Sequence, residues 1–185
     1  MKGLKMSKAI VFFADGMEEC EALLVVDLLR RADIEVTTAA VKACRKINTS
    51  HNIKLFADCT EKNADYASAD IIILPGGLKG TENLRNSKTV AEQCKSFAAN
   101  KKVAAICAAP TVLAGLGLLN GKNATMYPGL DEKMNGADVK NIPVSVDGNI
   151  ITGQALGAAI PFALEIIKQL LGEEKAAEVK QQIVF

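Results

Sequence analysis

Apolar residues in this chain fall into two kinds of run. The first kind is short and continuous: Lys8–Ala14 (KAIVFFA), Ile71–Leu74 (IIIL) and Val103–Ile106 (VAAI). Runs of this length without alternation suit strands buried on both faces. Ile34–Val41 is rich in β-branched residues and alternates, and Ile53–Ala57 predicts a weaker strand. Ile142–Val146 and Asn149–Thr152 flank Asp147-Gly148, a hairpin signal. The second kind recurs with helical spacing over Glu19–Ala32, Ser87–Ala99, Pro110–Leu119, Ala159–Leu171 and Glu173–Gln182, with Gly172 as a stop between the last two. Strands alternating with helices predict an α/β domain whose mostly parallel sheet is covered on both faces. Ligands of such sheets sit at the carboxyl ends of the strands. The loops to watch are therefore Asp15–Glu19, Pro75–Gly80 and Cys107–Ala109.

At 100° per residue, Glu21, Ala22, Val25, Leu28, Leu29 and Ala32 share one broad face of the first helix, with Glu18 at its N-terminal end. That face should meet the sheet, which turns Glu21 inward. A buried carboxyl loses hydration and its pKa rises, so Glu21 can stay protonated and donate a hydrogen bond. The competing reading is a first-turn acid favoured by the helix dipole. Cys20, Leu23, Leu24, Asp27, Arg30 and Arg31 lie opposite. The two leucines there are either a subunit contact or ordinary exposed apolar residues.

A length of 185 residues fits one domain, 8–185, after a flexible N-terminal extension, 1–7, in which Met6 is an alternative start. The 22 basic and 21 acidic residues leave a net charge of +1, which gives no footprint for nucleic acid. The N-terminal apolar stretch is too short for a signal peptide, and no segment reaches transmembrane length. A cytoplasmic protein is expected. Cys20, Cys44, Cys59, Cys94 and Cys107 form no C-x-x-C pair, so reduced thiols are expected rather than disulfides. With a single histidine, the scattered cysteines offer no zinc spacing, and no metal is expected.

Cys107 is the residue with two readings. Free cysteine often just packs. Yet in "AAICAAPTVLAG" it ends a buried strand and precedes a helix opened by Pro110, a proline placement suited to a first turn. Unpaired N–H groups and the dipole there favour thiolate. The geometry is that of a nucleophile elbow, and Gly76-Gly77 at a neighbouring strand end can supply backbone N–H groups. The sole histidine, His51, precedes Cys107, which excludes a triad with a downstream imidazole in this chain.

"FADGMEECEA", "IIILPGG", "AAICAAP" and "MYPGLDEKM" together resemble the ThiJ/PfpI superfamily, nearest the branch of the parkinsonism-associated deglycase, from about Lys8 to the last helix. The final helix Glu173–Gln182 is similar to the extra C-terminal helix of that branch. The resemblance implies a flavodoxin-like three-layer sandwich and a homodimer built partly on the first helix, where Asp27, Arg30 and Arg31 fall. It implies that Cys107 is the elbow cysteine, strained and readily oxidised to sulfinate. Glu21 matches the acid that hydrogen-bonds its sulfur, and Gly77 and Ala108 match the backbone donors beside it, next to Gly76. Two positions depart from the pattern. Tyr127 stands where relatives often keep a histidine, and a phenol is a poor base near neutral pH. His51 stands where the branch often carries an arginine near the neighbouring subunit's pocket, so it is either a surface residue or a group reaching Cys107 across a dimer. The implied activity needs no cofactor: attack on a reactive carbonyl or glycated substrate, of glyoxalase or deglycase type, yielding a hydroxy acid. The alternative is a redox sensor or redox-regulated chaperone acting through oxidation of Cys107. Proteolysis is not expected.

Overall fold

A computed structural model describes residues 6–185. In chain order the elements are β1 (Lys8–Phe13), α1 (Glu19–Arg31), β2 (Glu35–Ala40), β3 (Lys46–Asn48), β4 (Lys54–Phe56), β5 (Cys59–Thr60), β6 (Ile71–Leu74), α2 (Leu78–Asn86), α3 (Lys88–Asn100), β7 (Lys102–Ile106), α4 (Pro110–Gly115), β8 (Asn123–Ala124), β9 (Asp138–Val139), β10 (Val144–Asp147), β11 (Ile150–Gly153), α5 (Ala159–Leu171) and α6 (Glu173–Gln182). Seven strands form the central sheet in the order β10-β11-β7-β6-β1-β2-β5. Every pairing is parallel except β10 with β11, the expected hairpin, where Gly148 takes a φ of +61°.

Strand alternation explains the two-sided core. Ala9, Val11, Phe13, Ile71, Ile73, Ala104 and Ile106 face one layer, formed by α1, α5 and α6. Ile10, Phe12, Ile72, Leu74, Val103 and Ala105 face the other, formed by α2, α3 and α4. A residue on either face must be apolar, so these strands read as unbroken apolar runs. The fold is the flavodoxin-like α/β sandwich that the resemblance implies.

Four local outcomes differ from the periodicity. The Ile53–Ala57 run contributes β4, which pairs with β3 in a separate antiparallel ribbon and not with the central sheet. The edge strand β5 has too few residues to show a period. The Pro75–Gly80 loop is shorter than expected, since α2 begins at Leu78. Its glycines permit a backbone approach that larger residues would block: a Cβ on Gly80 would lie 2.5 Å from the Met17 Cα. The helix expected over Pro110–Leu119 stops at Gly115. Gly117 at φ +73° closes a Schellman motif there, its N–H donating to the Ala114 carbonyl at 2.9 Å and the Leu118 N–H to the Leu113 carbonyl at 3.0 Å. Most of the expected 1–7 extension lies outside the described residues. Ser7 is tied to the sheet, its carbonyl accepting from the Glu35 N–H at 3.0 Å.

Candidate active site

Three corners meet at the carboxyl edge of the sheet: the β1–α1 loop, the β6–α2 corner and the β7–α4 elbow. Cys107 lies at the elbow with φ +63°, one of few non-glycine residues in the left-handed region. Strand β7 drives the chain into the corner. The Cys107 N–H donates to the Gly153 carbonyl of β11 (3.0 Å), and its own carbonyl accepts from the Tyr127 N–H (2.8 Å). The peptide groups on both sides of the residue are thus fixed, and the conformation is held against its cost of about 1–2 kcal/mol.

Glu21 lies on the inward face of α1 and is 1% exposed. The N-cap of α1 is Glu18, whose Oε2 accepts from the Glu21 N–H at 2.6 Å. That separates the two readings of Glu21: a neighbour does the capping, and the Glu21 side chain is free to face the elbow. Its Oε2 accepts from the Gly76 N–H at 3.0 Å, and its carboxyl is hydrogen-bonded to the Cys107 thiol. Gly76 allows the approach. A Cβ there would collide with Glu21 Oε2 and lie 2.5 Å from Cys107 Cβ and 3.0 Å from Sγ. Gly77, at φ +84°, backs onto the Gly16 carbonyl and the Glu18 N–H. The backbone N–H groups of Gly77 and Ala108 are directed at the sulfur.

Electrostatics set the protonation of the pair. Burial pushes the Glu21 carboxyl up to about 7, aided by the Glu18 charge and opposed by the Cys107 and Gly76 hydrogen bonds. Burial, then the Glu21 charge and hydrogen bond, push the Cys107 thiol up to about 12, against the donors Gly77 and Ala108. The expected bias toward a free-standing thiolate is thereby reversed. Helix α4 has only six residues, and its end is outweighed by burial and an adjacent carboxylate. Above neutral pH the pair carries one negative charge and one proton, shared between sulfur and carboxylate.

The other expected site residues are distributed around this centre. Tyr127 is joined to the elbow through its backbone, while its ring is half exposed. His51 sits on its own chain's Glu19, with Nδ1 2.7 Å from Oε1. Glu19 is a buried residue that periodicity missed, 4% exposed although it lies off the sheet-facing stripe. The loop through Ser50 and His51 covers it, and Ser50 Oγ donates to its Oε2 at 2.9 Å. Burial works to raise the Glu19 pKa, but hydrogen bonds from its own N–H, Ser50, Thr49 and His51 bring it down to about 2. Asp27 and Arg31 form an exposed ion pair of 2.7 Å on the outer face of α1. Arg30 donates to the Val36 carbonyl (3.1 Å). All five cysteines are free. Glu18, Glu19 and His51 bring possible ligand atoms within 4.8 Å of one another, and no other group of three such side chains occurs among the described residues. No helix among the described residues is long and apolar enough to cross a membrane.

A cysteine elbow facing a buried carboxyl, on a parallel α/β sandwich, defines a class of proteins built around one acid-partnered thiol. The particular family follows from direct comparison. The model of the DJ-1/PfpI family matches residues 7–169, and the chain belongs to that family. It is 37% identical over 183 residues to the Parkinson disease protein 7 homolog of Danio rerio, covering 96% of this chain and 97% of that protein. It is 31% identical over 166 residues to a deglycase of Pyrococcus abyssi, covering 88% and 99% respectively. The solved structure of oxidized DJ-1 from Toxoplasma gondii superposes with a TM-score of 0.93 at 33% identity, over 97% of this chain and 98% of that one.

Proposed function

We propose that the protein is a cofactor-independent thiol enzyme acting on small reactive carbonyls such as methylglyoxal or glyoxal, or on the early adducts they form. The observation that carries this reading is the half-buried Cys107 set against the buried Glu21 carboxyl, which is poised at about 7. A general base works best when its pKa lies near the working pH. As the Cys107 sulfur attacks the aldehyde carbon, Glu21 takes the thiol proton. The carbonyl π electrons move onto oxygen, which is steadied by the Gly77 and Ala108 N–H groups and protonated to a hemithioacetal. Transfer of the hydrogen on that carbon to the adjacent carbonyl carbon, with Glu21 carrying the proton, gives a thioester. Water then releases the hydroxy acid and restores the thiol, with no net oxidation and no cofactor. Tyr127 takes no proton in this scheme. The relative named as a deglycase supports glycated substrates as members of the same chemical class.

The test is production of hydroxy acid from methylglyoxal by reduced protein. Wild type should turn over, Cys107→Ala should be inactive, and Glu21→Gln should fall by about 10²–10⁴-fold, the usual contribution of a general base. Equal activity in wild type and Cys107→Ala would refute the reading.

A second reading draws on the oxidized relative. Oxidation of Cys107 to sulfinate by peroxide, as in a redox sensor or redox-regulated chaperone, would use the same donors to hold the added oxygens. Mass spectrometry showing two oxygens gained selectively at Cys107, with no carbonyl turnover, would favour it. We place the protein in the cytoplasm as a homodimer. Free cysteines support the location, and the outer face of α1, where Leu23 is 39% exposed beside Asp27 and Arg31, supports the assembly.

A further inference from the structure

We propose that Glu18 is a positioning residue that aims Glu21 at Cys107 and sets its proton affinity. The inference rests on the base role given to Glu21 above. Three contacts fix Glu18 between the Gly76-Gly77 corner and the first turn of α1. Its N–H donates to the Gly76 carbonyl (3.0 Å), its Oε2 accepts from the Glu21 N–H (2.6 Å), and Gly77 lies so close that a Cβ there would stand 2.6 Å from the Glu18 nitrogen. One residue thereby ties together Gly76, whose N–H donates to Glu21, and the backbone that carries Glu21. Any drift of the α1 terminus would move the carboxyl relative to the sulfur.

The same contact has an electrostatic consequence. Glu18 holds a carboxylate at the start of the helix whose third residue is Glu21, and the Gly76 N–H and Cys107 thiol are the other groups bearing on the buried carboxyl. Like charges at close range raise the affinity of one of them for a proton. Glu21 is sealed, while Glu18 is only partly covered and hydrogen-bonded to backbone. Glu21 is thereby the acid of the two that is placed to exchange a proton with the sulfur. Glu19 and His51 lie beside Glu18 but are engaged with each other and with Ser50.

Two substitutions separate the roles. Glu18→Gln keeps an amide oxygen to accept from the Glu21 N–H and removes the charge. Glu18→Ala removes both. The midpoint of Glu21 is followed by carboxyl carbon NMR in the full reduced chain, assigned with Glu21→Gln. Both Glu18 variants should lower that midpoint by roughly half a unit or more. The rising limb of carbonyl turnover should shift to lower pH with it, and only Glu18→Ala should also lose kcat/KM at its own optimum. An unchanged midpoint in Glu18→Gln overturns the proposal and leaves Glu18 a cap alone. A wild-type Glu21 that does not titrate near neutrality overturns instead the base role on which the proposal rests.

Discussion

The sharpest consequence of the site concerns stability rather than rate. Glu21 is sealed in the protein with a pKa of about 7, against an ordinary 4.5. Its folded pKa is raised, so the native state holds this proton more tightly than the unfolded chain. The resulting stabilisation is fully present below about pH 4.5, declines as the unfolded chain ionises, and is gone once pH passes the folded pKa near 7. At about 1.4 kcal/mol per unit, the full difference is about 3 kcal/mol. Glu21→Gln has no such proton to lose. Its oxygen can still accept from the Gly76 N–H and its amide can face the sulfur. Urea denaturation of both proteins, reduced, from pH 4.5 to 8.5 follows this group together with the Cys107 thiol coupled to it, because every other titrating residue is shared. Wild type should lose about 3 kcal/mol relative to the variant over that range, nearly all of it by pH 7.5. A difference constant to within about 1 kcal/mol across the range would mean that Glu21 is not a buried, neutral-range acid, and the proposed proton transfer would fall with it.

Gly76→Ala should abolish carbonyl turnover and cost about 1–3 kcal/mol, since the new methyl meets Glu21 Oε2 and the Cys107 side chain in a packed corner; activity above a tenth of wild type would show that the corner can yield. At Cys107 the usual order of residues should invert. Cys107→Gly should be more stable than Cys107→Ala by about 1 kcal/mol in thermal unfolding, because glycine bears the φ of +63° without strain, and a more stable alanine variant would contradict a left-handed elbow. Glu19 should show the opposite pH behaviour to Glu21. Its folded pKa is depressed to about 2, so Glu19→Gln should cost up to about 3 kcal/mol at pH 7, and the deficit should shrink as pH falls from about 4.5 toward 2. A pH-independent deficit would assign the loss to packing. At the exposed Asp27–Arg31 pair, Arg31→Ala should change monomer stability by less than about 1 kcal/mol. A weakened association in sedimentation would place the pair in a dimer contact, and unaltered sedimentation would remove it from one.

Much of this molecule is legible in local sequence because period and burial coincide there. Strands β1, β6 and β7 lie between two helical layers, so each position has to be apolar and the runs declare themselves. The first helix has one sheet-facing stripe, so a 100° step is enough to turn Glu21 inward. The strand-to-helix corner likewise marks Cys107, because chain direction must reverse there. The features that local pattern missed depend on partners distant in sequence. Helix α2 starts in a glycine-rich stretch of poor helix propensity, where close backbone approach to the β1–α1 loop settles the matter. Glu19 lies off the sheet-facing stripe and is buried by a loop some thirty residues away. Strand β4 left the central sheet because β3 offered an antiparallel partner close by.

The chemistry divides along the same line. Residue order alone determined that a cysteine would stand at a sheet-edge corner, that an acid would face inward from the first helix, and that no histidine would follow the cysteine. The tertiary structure alone decided what those groups are to each other. It sealed Glu21 from water, set the thiol against it, and gave the capping role to Glu18. Burial and the nearby carboxylate outweighed the short helix end, so the pair holds one proton where local pattern favoured a free thiolate. Hydration and charge separation are properties of three-dimensional surroundings, and no spacing along the chain encodes them.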